Sequence, residues 1–157
     1  MRKFIFFAAL ATALSFSSFV KTKAQGATPF NDQAIIPVTT TQTNPCAGED
    51  VDLSGNIHLG IHGVINKNKI SFNGHVNTQG LSGVGQVSGN TYISNSVSSF
   101  SSNQNFNGAF ETTMIQNAVF TASGKDNNLL AKITIHITIN ANGEVTAQVV
   151  NIIADCK

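Results

Sequence analysis

Apolar and polar residues alternate along two long stretches of this chain. Between residues 51 and 65 the odd positions are mostly apolar and the even positions mostly polar. The apolar set is Val51, Leu53, Ile57, Leu59, Ile61 and Ile65. Residues 129–139 repeat the pattern, with an apolar residue at every odd position. Since successive side chains of a strand point to opposite faces, this period of two predicts strands with one buried and one solvated face.

Shorter segments of the same type fill much of the remaining sequence, and no helical periodicity stands out. We expect further strands near residues 70–78, 81–88, 91–97, 109–122 and 144–155. The segments between them are rich in Gly, Ser, Asn and Lys, which favour turns and loops. The longest, "SSFSSNQNFNG" at 98–108, is interpreted as a loop that tucks its two phenylalanines, Phe100 and Phe106, under itself.

Two antiparallel hairpins can be placed in register from the sequence. A two-residue loop at positions 67 and 68 predicts the pairs Ile65–Ile70, Leu59–Val76, Ile57–Thr78, Gly63–Phe72 and Ile61–Gly74. A short loop containing Gly143 predicts the pairs Ile139–Val145, Ile137–Ala147 and Ile135–Val149. A slip of one residue would place the apolar side chains on the wrong face, so the pattern specifies both registers.

The predicted fold is all-β: a single antiparallel β-barrel or β-sandwich of about seven to eight strands. Short connections between antiparallel strands are typical of both architectures. Several glycines lie inside the predicted strands, among them Gly60, Gly63 and Gly74. Glycine inside a strand marks bends where a sheet curls or closes. The barrel is therefore favoured.

The N-terminal residues predict an export signal. Arg2 and Lys3 precede the apolar run "FIFFAALATAL", and "TKAQG" offers a cleavage site after Ala24. We interpret residues 1–24 as a signal peptide, 25–45 as a polar Thr-rich leader or linker with room for one short extended piece at "AIIPV", and 46–157 as the antiparallel β domain closed by a terminal disulfide. The expected location is secreted, periplasmic or at the cell surface, with no transmembrane segment in the mature chain, because the run is too short to span a bilayer.

Two cysteines, Cys46 and Cys156, flank the predicted domain. In an oxidising compartment an even number of cysteines favours a disulfide. Pairing them would close a loop of about 110 residues, worth up to about 4–5 kcal/mol in the chain-entropy model. Free thiols or metal ligands are the alternative, but a thiolate metal site needs more ligands at close spacing.

The charge balance argues against polyanionic partners. Removing residues 1–24 leaves five lysines and eight acidic residues and no arginine. A nucleic-acid-binding protein would carry a clustered Lys/Arg stripe, whereas these lysines are scattered. We expect no binding to nucleic acid or to anionic membrane surfaces.

Three of the four histidines, His58, His62 and His75, fall within "NIHLGIHGVINKNKISFNGHVN" at 56–77. They are weak candidates for a metal site. The predicted register places them on one face, opposite the isoleucines, with His58 and His62 about 13 Å apart. Zinc normally takes three or four protein ligands, and only two of these imidazoles can meet. The favoured interpretation is a solvated polar face with no metal.

No catalytic constellation or cofactor motif is evident. His136 has no apparent orienting partner or nucleophile beside it. "GLSGVG" at 80–85 matches neither a nucleophile elbow nor a phosphate loop. Glu49, Asp50 and Asp52 offer carboxylates for calcium, but "EDVD" matches no calcium loop and acids at a domain edge are usually solvated. We assign no catalytic residues and no cofactor.

Three segments carry a resemblance to known proteins: "NPCAGEDVDLSGNIHLGIHG", "NTQGLSGVGQVSGNTY" and "HITINANGEVTAQVVN…CK". In this order they resemble a recurring family of small secreted bacterial all-β proteins of uncharacterised function. The resemblance covers nearly all of residues 44–157. It implies secretion and an all-β domain, and it assigns no site residues.

Three functions remain open from the sequence. The favoured one is a secreted, non-catalytic β-barrel module with a binding or structural role. The second is a lipocalin-like carrier with a small apolar ligand in the barrel interior. The third is a small-barrel enzyme of the allene-oxide-cyclase or dirigent type, which would need polar residues, such as the imidazoles, inside the barrel.

Overall fold

A computed structural model of the protein describes residues 26–123 and 128–156. These residues form eight strands: β1 (Thr28–Asn44), β2 (Glu49–Asn66), β3 (Lys69–Gly85), β4 (Thr91–Ser94), β5 (Val97–Asn105), β6 (Ala109–Ala122), β7 (Leu129–Asn140) and β8 (Val145–Cys156). Every strand pairing among them is antiparallel, and they form one sheet that is nearly closed into a barrel. The predicted all-β class is confirmed. Within the described ranges, no helix is long and apolar enough to cross a membrane.

The sheet has seven strand positions, although it has eight strands. Its order is β1-β2-β3-β4-β6-β7-β8, and β5 shares a position with β4 because both pair with β3. In an antiparallel sheet the direction reverses at each step. The first and seventh positions therefore run in the same direction, and β1 and β8 meet as parallel neighbours. This meeting line, the β1–β8 seam, has no strand pairing among the described residues.

The inside and outside faces follow the alternation predicted from the sequence. The odd-numbered apolar residues of β2 and β7, such as Ile57, Leu59 and Ile137, are buried in the core. The imidazoles of His58, His62 and His75 are exposed on the outer face. Burial at about 25 cal/mol per Å² of apolar surface makes this arrangement strongly preferred over its inverse.

Both predicted hairpin registers are confirmed, with one local shift. Partners along β2–β3 include Ile65–Ile70, Gly63–Phe72, Ile61–Gly74 and Leu59–Val76, and those along β7–β8 include Ile139–Val145, Ile137–Ala147 and Ile135–Val149. The pair Ile57–Thr78 is not formed, because an irregularity between Asn56 and His58 shifts the register there. Gly143 has a φ of +83°, the left-handed conformation that its loop requires.

The interpretation of residues 25–45 as a leader or linker was wrong for the part that the structure describes. Residues 28–44 form β1, which pairs with β2 along its whole length. Ile36 and Val38 are buried on its inner face, and its threonines favour extended backbone. The predicted signal peptide at 1–24 lies outside the described residues.

The Ser/Asn-rich segment at 98–108 also differs from the prediction. Most of it is the strand β5, paired with β3, rather than a loop. Its small polar residues hide an alternation in which Ser98, Phe100 and Ser102 point inward. Phe106 directly follows β5 and is buried, and Phe100 is partly buried against the core, so both phenylalanines do tuck inward as expected.

Phenylalanine rings fill one end of the barrel, where β5 and β6 do not pair. Phe72 packs edge-to-face against Phe100 and Phe110, with ring centroids 6.1 and 5.2 Å apart. Because Phe72 and Phe110 belong to β3 and β6, ring contacts join strands here that hydrogen bonds do not. Glycines make room for the rings: a Cβ at Gly74 would lie 2.3 Å from Phe100 Cζ.

Candidate functional site

The three clustered histidines lie side by side on the outer face of β2 and β3. His75 is opposite Gly60, which lies between His58 and His62 on the neighbouring strand. Its ring lies directly over this glycine, since a Cβ at Gly60 would be 2.2 Å from His75 Cε1. The sequence predicted this face and this pairing.

A shallow groove of about 330 Å³ runs between two rows of these outer side chains. His62, Asn73 and Ser101 form one row, and His75 and Ser99 form the other. Gly74 and Phe100 also line it. Both belong to the inward-facing register of their strands, so they contribute backbone to its floor. We name this feature the histidine groove; it presents imidazoles, an amide and hydroxyls, and no formally charged residue.

The histidine groove brings together two of the three weak metal candidates. His62 and His75 line it, whereas His58 does not. Among the described residues no group of three or more His, Cys, Asp or Glu side chains is placed to hold a metal ion. The arrangement can donate and accept hydrogen bonds to a neutral polar surface.

His136 lies elsewhere on the outer face. It is opposite Gln148 on β8, and its Nδ1 is 3.3 Å from Thr113 Oγ1. A hydroxyl from threonine on a solvated strand is an ordinary surface partner for imidazole. His136 therefore does not join the other three histidines in a site.

Sequence reasoning missed the burial of Glu49. We expected this acid to be solvated beside Asp50 and Asp52, but its side chain points inward and is 7% exposed. Its carboxylate accepts hydrogen bonds from the backbone N–H of Val87 (3.1 Å) and of Ser88 (2.8 Å), from Ser88 Oγ (2.7 Å), and from Tyr92 Oη (3.2 Å). The hydrogen bonds from Ser88 hold the pKa of the Glu49 carboxyl below its ordinary value. Strand parity was the available signal, since Glu49 precedes Val51 by two residues.

The calcium alternative is not supported by this arrangement. Asp50 and Asp52 lie on the outer face, where they accept hydrogen bonds of 2.6 Å from Thr43 and Thr41. Glu49 faces the opposite side of the same strand. The three carboxylates therefore do not converge on a common point.

Most of the other buried polar side chains are also engaged with neighbours; among the described residues the exception is Ser102, whose buried Oγ has no hydrogen-bond partner. Thr78 Oγ1 lies 2.7 Å from Ser94 Oγ and donates to the backbone carbonyl of Ser96 at 3.0 Å. Gln116 Oε1 accepts a hydrogen bond from the Ser98 hydroxyl, and Gln116 Nε2 donates one to the backbone carbonyl of Asn117. These groups tie β3, β4, β5 and β6 together. A catalytic acid or base would need a partner in reach of substrate, and these side chains face the packed core.

The β1–β8 seam forms a second cleft, of about 340 Å³. The residues lining it are Pro37, Val38, Thr39, Thr40, Gln42, Val149, Val150, Asn151 and Ile152. One end is closed by the Cys46–Cys156 disulfide, with Cα atoms 5.3 Å apart, which confirms the predicted pairing. Near the other end Asp32 Oδ2 accepts a 2.7 Å hydrogen bond from the backbone N–H of Val145.

Together these features define a disulfide-closed antiparallel β-barrel with an apolar core and a largely uncharged polar outer face. Comparisons with protein-family models, with curated proteins and with solved structures found no match to this chain.

Proposed function

We propose that this protein is an exported, non-catalytic β-barrel module that acts through its outer face, in binding or in a structural role. The observation that supports this most directly is strand parity. Apolar side chains such as Leu59, Ile61 and Ile135 fill the interior, while the chemically versatile imidazoles point to solvent. The disulfide supports export, since such bonds persist in oxidising compartments.

The histidine groove is the part of this face that we assign to binding. Its lining is polar and uncharged, which suits a neutral, hydrogen-bonding ligand surface rather than a phosphate or a carboxylate. Of the strands below it, β2 and β3 are paired on both sides, and β5 is paired with β3 along its whole length, which keeps the groove rigid. A preorganised surface loses little entropy on binding.

The test compares two double variants for retention on intact cells of the source organism. H62A/H75A removes the imidazoles of the groove, and T113A/T138A is the matched control elsewhere on the outer face. We expect the groove variant to lose retention and the control to keep it, with unchanged circular dichroism for both. Equal retention of wild type and groove variant would contradict a binding role for the groove.

A small-ligand carrier is the second candidate, and one observation favours it. The cleft along the β1–β8 seam has a volume near the lower end of ligand pockets, which is about 300 Å³. Val149 and Ile152 line it and pack against the core. Titration of the oxidised protein with N-phenyl-1-naphthylamine, a neutral apolar dye, distinguishes the two functions. Saturable one-to-one binding would support the carrier, and no saturable binding would support the module.

The enzyme of allene-oxide-cyclase or dirigent type has the least support. Its chemistry would require polar groups free to contact a substrate inside the barrel. The buried polar residues Glu49, Thr78 and Gln116 are occupied by hydrogen bonds within the fold, and among the described residues only the Ser102 hydroxyl is buried without a hydrogen-bond partner. One hydroxyl alone does not make a nucleophile–base pair.

A further inference from the structure

We propose that the β1–β8 seam is a redox-sensitive gate: the Cys46–Cys156 disulfide keeps it shut, and reduction of this bond by a dithiol opens it. In this role the disulfide controls access to the apolar stripe that lies under the seam.

The seam has no hydrogen-bond ladder to hold it. With seven positions in an antiparallel sheet, β1 and β8 can meet only as parallel strands. Each described strand in the order from β1 to β8 pairs with the next one, although β5, beside β4, does not pair with β6; β1 and β8 are not paired with each other. Each strand is held firmly on one edge, by β2 or by β7, and only weakly on the other.

Two backbone features face each other in the seam and oppose its closure. Pro37 on β1 lacks an N–H and cannot donate to a ladder. On β8 the register with β7 shifts by one residue. Thr134 pairs with Asn151 and Ile135 pairs with Val149, so Val150 has no partner on β7. Pro37 and Val150 line the same cleft. Proline and bulges are devices that prevent edge strands from pairing.

Two contacts lie at opposite ends of the cleft. The disulfide joins the residue two positions after β1 to the last residue of β8. The hydrogen bond from Val145 to Asp32 lies near the starts of the same strands. A bond of this kind, to a carboxylate, contributes about 1.5–3 kcal/mol. Losing the disulfide therefore leaves the hydrogen bond to Asp32 and the packing of Phe30 against Gly143, both near the starts of the two strands, as a hinge. The ladders β1–β2 and β7–β8 remain.

Opening of the seam would expose apolar side chains that lie under it. Val38 is buried, and Val149 and Ile152 are half-buried and pack against the core. Val150 and Ile153 are already about half exposed beside them. Separation of β8 from β1 would extend this apolar surface into the barrel. An exposed patch of this kind binds apolar molecules.

The Cys46–Cys156 disulfide is reduced by thiol–disulfide exchange. One thiolate of a dithiol attacks a cysteine sulfur, and a mixed disulfide forms as the Cys46–Cys156 bond breaks. The second thiolate of the reagent then displaces the remaining cysteine. The products are two protein thiols and one cyclic disulfide of the reagent. Two electrons pass from the dithiol to the protein disulfide, and two protons end on the cysteines.

The experiment measures hydrogen exchange by mass spectrometry on the full chain, oxidised and in dithiothreitol, together with dye binding. We expect reduction to speed exchange about tenfold or more in 149–156 and to leave 57–76 within about twofold, as for a local opening. We also expect N-phenyl-1-naphthylamine fluorescence to rise. The variant C46S/C156S should behave like the reduced protein without any reductant.

Two oxidised controls separate a gate from general weakening. I137A lowers stability with the disulfide intact and should speed exchange throughout the sheet, without selecting the seam. D32A removes the hydrogen-bond acceptor of the opposite contact and should affect residues 145–149 more than 151–156. The proposal is overturned if reduction changes nothing at the seam, if it speeds exchange equally in all strands, or if the reduced chain unfolds.

Discussion

The two glycines Gly60 and Gly74 allow a sharp test of which face of the sheet is inside. They lie on neighbouring strands, close together in the same hairpin, but on opposite faces. At Gly74 an added Cβ would meet Phe100 ring atoms at 2.3, 2.5 and 2.9 Å. At Gly60 it would meet the ring of His75, at 2.2 Å for the nearest atom. The two substitutions thus create similar overlaps with rings in different surroundings.

The expected costs differ because only one ring is free to move. Phe100 packs edge-to-face on Phe72 and against the core, so G74A forces overpacking that costs about 1–3 kcal/mol. The His75 imidazole is exposed and rotates into water. G60A should therefore show mainly the gain from a less flexible unfolded chain, about 0.4–1 kcal/mol. Because both variants share this gain, we expect G74A to be less stable than G60A by the overpacking cost of about 1–3 kcal/mol.

Urea denaturation at equilibrium, followed by far-ultraviolet circular dichroism, gives the free energy of unfolding of each variant. Equal stabilities, or a less stable G60A, would refute the assignment of Phe100 to the inside and His75 to the outside. The further variant F100A in the G74A background is a check on the mechanism. It should remove the penalty of the added methyl group, because the overlapping ring is gone.

Three further predictions follow from burial and hydrogen bonding. Because the folded pKa of Glu49 is lowered, its contribution to stability is present above about pH 4.3, the ordinary glutamate value, and is lost as the pH falls through the folded pKa. The urea midpoint, measured between pH 6 and pH 3, should therefore fall less steeply with pH in E49Q than in the wild type. An unchanged pH profile would contradict the role of the hydrogen bonds to Glu49. I137A should lower the free energy of unfolding, measured by urea denaturation, by about 2–5 kcal/mol because Ile137 is fully buried. I115A, at a position 64% exposed, should change it by no more than about 0.5 kcal/mol, and similar losses for both variants would count against the assigned core. Calorimetric titration with zinc should give the same weak heats for wild type and H75A, and a strong wild-type signal lost in H75A would restore the metal hypothesis.

The hairpins were predictable because their information is local. Ile65, Ile70 and the residues around them alternate with period two, and a two-residue loop then leaves one register that buries them all. The disulfide was predictable from the number and position of the cysteines. The fold class followed from the same regular pattern.

β1 and β5 were missed because their inward positions do not form a clear row of apolar residues in the sequence. Along β1 the inward side chains include Asp32, Thr40 and Asn44 as well as Ile36 and Val38, so the apolar signal is diluted. In β5 serines occupy both faces, and only Phe100 marks the inside. Their strand state depends on pairing with β2 and β3, which a local reading of composition does not include.

The candidate site was predictable only in part. The hairpin register placed His62 and His75 together on the outer face, but Ser99 and Ser101 reach the histidine groove from β5, which was read as a loop. The seam required the complete strand order, because its parallel character comes from counting positions around the whole barrel. The burial of Glu49 was predictable from strand parity, because Glu49 lies two residues before Val51 and faces the same side of the strand.

The order of strands also bears on how the molecule is assembled during synthesis. Five of the seven strand pairings among the described residues join neighbours in the sequence, so hairpins such as β2–β3 can form without waiting for the rest of the chain. The bond between Cys46 and Cys156 spans 110 positions and has to wait for the second cysteine to emerge. The newborn chain therefore passes through a curved, unsealed sheet, and an oxidation catalyst would complete the molecule as its final step.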